Sequence, residues 1–132
     1  MDYGIDGAVI SSMEEELEHL RKQLKAVKRA IKKRQELSEQ ILSDLESKIS
    51  FYRSIQNDSL ALSTYSHGNS FEEMREHVRA LIRDLEERKR FERIKAWNDV
   101  QDLMKEERAL ERELKKMEKS YRFMLDLLRK LG

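Results

Sequence analysis

Met13, Leu17, Leu20, Leu24, Val27 and Ile31 recur at alternating steps of four and three residues. That spacing holds one apolar stripe on one face of an α-helix for nearly three heptads, and only another helix covers such a stripe efficiently. The stripe falters at Gln35 and Ser38 and resumes at Leu42, Leu45, Ile49 and Tyr52. The step from Ile31 to Gln35 reads as a stutter, which locally unwinds a supercoil. A second stripe runs back from the C-terminus through Leu131, Leu128, Met124, Tyr121, Met117, Leu114, Leu110, Leu103 and Val100, with Glu107 as its one polar member. Phe71, Met74, Val78, Leu81 and Leu85 keep the same period upstream, and "EERKRFER" at 86–93 interrupts it.

Composition closes off the alternatives. The 132 residues include no Pro and only four Gly, and 40% are charged with a net charge of +1. Pro removes a backbone donor and Gly costs about 1 kcal/mol at a helical position, so their scarcity suits long helices. The 39% hydrophobic content, regularly spaced, argues against a disordered polyampholyte. The absence of Cys excludes a disulfide framework and thiolate metal sites, and fits a reducing compartment, cytoplasmic or nuclear. No apolar run approaches the roughly 20 residues that span a bilayer. The opening "MDYGIDGAVISS" lacks the basic and apolar regions of a secretory signal, so the chain reads as neither secreted nor transmembrane.

Ser12 with Glu15, and Ser70 with Glu73, have capping-box spacing. The expected fold is therefore all-α: two long helices forming an antiparallel coiled-coil hairpin that associates into a four-helix dimer. The expected divisions are an N-terminal extension at 1–11, helix one at 12–57, a connecting loop at 58–69, and helix two at 70–132 with an apolar overhang at its end. The loop assignment rests on Gly68-Asn69 and the lost period in "DSLALSTYSHGNS". The pattern still running at the end of the sequence suggests a fragment of a longer protein.

"RKQLKAVKRAIKKR" at 21–34 holds eight cations and no acid. If the chain folds back at about residue 65, residue i faces roughly residue 130 − i. The run then meets Asp99, Asp102, Glu106 and Glu107, while Glu14 to Glu18 meet Arg112, Lys115 and Lys116. Glu36, Glu39, Asp44 and Glu46 meet Arg88, Lys89, Arg90 and Arg93. Flanking charges of this kind set orientation in coiled coils. The basic run thus reads as half of an internal match, with Lys22, Arg29 and Lys33 left as possible contacts to a polyanion such as nucleic acid or an anionic membrane.

No catalytic constellation is visible. Glu16 and His19 have the Glu-x-x-His spacing of di-metal bundles, but such sites need a second motif and two more inward Glu. His67 and His77 have no second ligand nearby in sequence, and there is no phosphate-binding glycine loop. Trp97 reads as a core aromatic. No cofactor and no metal is expected. The expected function is a non-enzymatic scaffold or oligomerisation module of a cytoskeletal, centrosomal, kinetochore or tethering protein. It would form a homodimer and take a helical protein partner at its C-terminal end. The residues expected to carry these contacts are Phe123, Leu127, Leu128 and Leu131 at that end, and Ile41, Phe51, Ile55 and Ile82 near the loop. Leu127→Asp with Leu128→Asp is expected to abolish association and leave helicity intact.

Overall fold

The computed structural model describes residues 3–58 and 71–132. The chain is an all-α two-helix hairpin, with no strand among the described residues. Helix α1 spans Tyr3–Asn57 (55 residues) and α2 spans Phe71–Leu131 (61 residues), and the two pack against each other. The expected loop at 58–69, His67 and the Ser70 cap lie outside the described residues, apart from Asp58.

Helix α1 begins at Tyr3, well before the Ser12 cap read from the sequence. The apolar period explains the difference. Val9 sits one helical turn before Met13, and both line a groove against α2. Continuing the helix through Ser12 keeps that contact, which outweighs the weak preference of Ser for a cap. At its other end, Asp58 N–H donates to the Ile55 carbonyl at 3.2 Å, closing the last turn of α1. Helix α2 opens with Glu72 and Glu73 in its first turn and closes with Arg129 and Lys130 in its last, each favourable to the helix dipole.

The chain divides into two compact units, Met1–Lys33 with Val100–Gly132, and Arg34–Asp99. In the first, Leu17, Leu20, Val27 and Val100 are buried. Tyr121 Oη donates to Glu14 Oε1 at 2.8 Å, and Arg21 lies 3.9 Å from Glu118. In the second, Ile55, Met74 and Val78 form an apolar cluster with Tyr52 and Ile82 packed on it. Lys89 bonds Glu46 there, and Arg53 donates to Glu86 at 2.7 Å.

These pairs correct the expected offset. A fold-back at residue 65 placed Glu14 opposite Lys116, whereas its partner Tyr121 lies further along α2; Glu46 meets Lys89, a member of the basic block expected opposite it. Helix periodicity fixes the face a residue presents and leaves the axial offset to the packing. The apolar end is consequently not a full overhang, because Tyr121 and Met124 engage α1. The stutter also moves. Gln35 is exposed, and Arg34 enters the seam between Ile31 and Ser38.

Candidate functional site

Three surfaces merit description, one in the first unit and two in the second. In the first unit, Val9 and Met13 of α1 and Met117, Phe123 and Met124 of α2 line an open groove, with Glu16, Lys119 and Ser120 at its edge. Phe123 is 63% exposed, and Leu127 and Leu131 continue the exposed apolar surface beyond it, with Leu128 half-buried. Three thioethers make the groove adaptable in shape, since Met is unbranched and polarizable. The Tyr121 hydroxyl is held above its usual pKa, chiefly by its hydrogen bond to Glu14 and then by burial.

In the second unit, Arg34 reaches inward between two acids of α2. Its Nε donates to Asp99 Oδ2 at 2.8 Å and its Nη1 to Glu92 Oε1 at 2.9 Å. Glu92 is only 8% exposed, and Ser38 and Ala96 are buried beside it in the seam. The guanidinium is held above its usual pKa by the Asp99 and then the Glu92 hydrogen bond, against an opposing effect of burial. The outward side of the same turns is apolar: Phe91 is 68% exposed, Ile94 63% and Trp97 64%. The expected core role of Trp97 is therefore corrected. Stepping the heptad on from Leu85 through Lys89, Glu92 and Ala96 turns Trp97 outward, and that stepping was available in the sequence.

A smaller groove, near the Ile55 cluster, is lined by Ser47, Lys48, Phe51, Tyr52, Asp84 and Arg88, among others. Phe51 is exposed and meets Tyr52 edge-on, with centroids 5.5 Å apart and planes at 68°. Ile41 and Ile82 are half-buried on the flanks of the seam. Ile55, read as a surface residue, is a core residue at 8% exposure, because it extends the Ile49–Tyr52 stripe by one more step of three.

The basic run is divided in its roles. Arg34 is internal, Lys22 lies 3.4 Å from Glu18, and Arg21 approaches Glu118. Arg29 and Lys33 are exposed, and neither forms an ion pair with another described residue. His19 and His77 are exposed. Among the described residues no group of three or more His, Asp or Glu is placed to hold a metal ion, and no helix is long and apolar enough to cross a membrane.

No curated protein and no solved structure matches the chain. Residues 1–128 match the model of a family of unknown function, DUF8104, which takes in nearly the whole chain.

Proposed function

The chain belongs to the family of unknown function DUF8104, and we propose that it is a non-enzymatic module that works by associating with other helices. In this reading the hairpin is an antiparallel coiled coil that dimerises, and the C-terminal end docks a helical protein partner. The observation that carries the proposal is the run of Phe123, Leu127 and Leu131, exposed beside a groove of Val9, Met13, Met117 and Met124. An apolar patch that a helix pair leaves uncovered marks an interaction site more often than a solvated face. A groove between two helices accepts a third through anchors at i, i+3, i+4 and i+7. Service as a scaffold in a cytoskeletal, centrosomal, kinetochore or tethering assembly rests on analogy with other helical rods. Sedimentation equilibrium of the full chain tests the reading. A reversible dimer is expected, and a monomer at every concentration would overturn it.

Exposed Arg29 and Lys33, without ion pairs to other described residues, support a second reading as a polyanion-binding surface, with Lys22 adjacent. Its signature is an affinity for RNA or anionic vesicles that falls steeply with added salt. Binding that ignores salt, or none at low salt, removes this reading.

A further inference from the structure

Phe91, Ile94 and Trp97 follow one another at steps of three, and each step turns the side chain back by about 60° around the helix. Ile94 is therefore central, with an aromatic ring on either side, and all three are close to two-thirds exposed. The inward face of these turns belongs to Glu92 and Ala96, so the three large side chains contribute little to the packing of α2 on α1.

We propose that this face is where two copies of the chain meet, α2 of one crossing α2 of the other about a two-fold axis at Ile94. The inference rests on the association reading above and assigns its self-contact to α2, leaving the Phe123–Leu127–Leu131 end to a foreign helix.

The face matches itself. An antiparallel pairing centred on Ile94 sets Ile94 against its own counterpart and Phe91 against Trp97 of the second copy, twice, as a two-fold interface requires. Aromatic pairs at such a contact add to the gain from burial alone. Arg90, which forms no ion pair with another described residue, falls opposite Asn98 and beside the Trp97 ring of the second copy. An amide carbonyl and an indole face both receive a guanidinium well. The two cations nearest the axis, Arg93 and Lys95, lie about 100° to either side of Ile94 and so point away from the contact.

Size and shape agree. Large apolar side chains about two-thirds exposed present roughly 400 Å² per copy, about half of the ~800 Å² per partner in a standard interface. That suits the apolar centre of an interface whose polar rim supplies the rest. The patch covers about two turns, which fits helices crossing at a steep angle of about 50° rather than lying side by side.

Trp97 is the chain's only tryptophan, so its fluorescence reports on this face alone. Sedimentation equilibrium is run beside Trp97 emission and acrylamide quenching over the same concentrations, for the full chain, Ile94→Glu, and Leu127→Asp with Leu128→Asp. The expected result is a dimer whose formation shifts Trp97 emission to the blue and lowers its quenching several-fold, with one midpoint for both signals. Ile94→Glu is expected to stay monomeric with Trp97 accessible; the double substitution, which on the sequence pattern alone is expected to abolish association, should on this proposal dimerise as the native chain does. Far-UV circular dichroism checks folding, and native-chain quenching tests the proposal even if a variant fails to fold. A dimer in which Trp97 stays equally quenchable overturns this contact and spares the association reading. So does loss of the dimer on Leu127→Asp with Leu128→Asp while Ile94→Glu dimerises. A dimer whose Trp97 is shielded only by added phosphatidylserine vesicles also overturns the contact and assigns the face to a lipid surface. A monomer throughout overturns both.

Discussion

Two stretches of the Arg34–Asp99 unit pack the same pair of helices in opposite ways. Around Val78, apolar groups are inside and charges outside: Ile55, Met74 and Val78 are buried, while Glu76 pairs with Arg79 and Arg83 at the surface. Around Glu92 the order is reversed, with Arg34, Ser38, Glu92 and Asp99 in or beside the seam and Phe91, Ile94 and Trp97 facing out. Hydrophobicity alone does not decide which face a turn buries. The orientation of a long helix is fixed by its most strongly packed turns and inherited by the others. Ile94 follows Leu85 by nine residues, which places it about 180° round the helix from that buried side chain. Turning Ile94 inward would expose Leu85 and Val78. The inward polar groups are tolerated because each acid finds the same guanidinium, and a buried charge is costly chiefly when unpaired.

The contrast breaks most visibly at a fully buried side chain. Ile49 has no exposed surface. Ile49→Ala is expected to destabilise the chain by about 2 to 5 kcal/mol, from lost burial and the cavity left behind. Ile94→Ala in dilute solution should stay within about 0.5 kcal/mol, as for surface substitutions. Urea unfolding of the two variants compares them directly. Equal losses would mean that Ile94 packs on its own hairpin and that the inside-out description fails.

A smaller loss is expected at the polar seam. Arg34→Ala leaves Glu92 without its partner in a buried position, at a cost of about 1 to 3 kcal/mol, moderated because Asp99 reaches solvent. Replacing the whole cluster, with Arg34→Met, Glu92→Met and Asp99→Leu together, should recover that loss or exceed native stability, since apolar packing avoids the desolvation of three charges. If the triple variant is as unstable as the single one, the seam holds the pair by something other than mutual ion pairing.

The sequence made the apolar stripes of both units legible and little of the polar stretch around Glu92. Leu17, Leu20, Val27, Ile49, Met74, Val78, Leu85 and Val100 were all on the predicted stripes, and all are buried. Strong apolar spacing identifies a buried face because burial of those groups dominates the energy. Where the spacing weakens, two phases compete, and side-chain character pointed to the wrong one. Gln35 was placed in the seam because it follows Ile31 by a step of four, yet Arg34 goes in because Glu92 and Asp99 wait opposite. Glu92 had no signal of its own beyond its step from Leu85. Trp97 was read inward for its size, and its neighbours turn it outward. The starting point of α1 was missed for a related reason: Ser12 is a good cap, but Val9 and Met13 extend the contact past it. At the apolar end, Phe123 and Leu131 were identified as exposed from the excess of apolar residues over one stripe.

The smallest expected effect concerns pH, at the edge of the polar stretch. Lys89 bonds Glu46, and its side chain is mostly buried while that of Glu46 is half-exposed. The hydrogen bond from Lys89, followed by its charge and with a lesser contribution from Arg53 and Arg93, holds the Glu46 carboxyl below its ordinary value. The folded chain therefore binds this proton less readily than the unfolded chain. Stability from the pair is present above the unfolded carboxylate pKa and disappears as pH falls through the lower, folded one. The Glu46→Gln variant should lose that part of the acid dependence, so its stability and that of the native chain converge as pH falls below the ordinary glutamate value of about 4.3. Hydrogen exchange followed by mass spectrometry locates the effect. Acid should reduce protection around residues 46 and 89 before it reaches the amides around Val78, whose apolar contacts do not titrate. Simultaneous loss at both places would show that the two stretches open as one cooperative unit, so that their opposite interiors differ in chemistry and not in local stability.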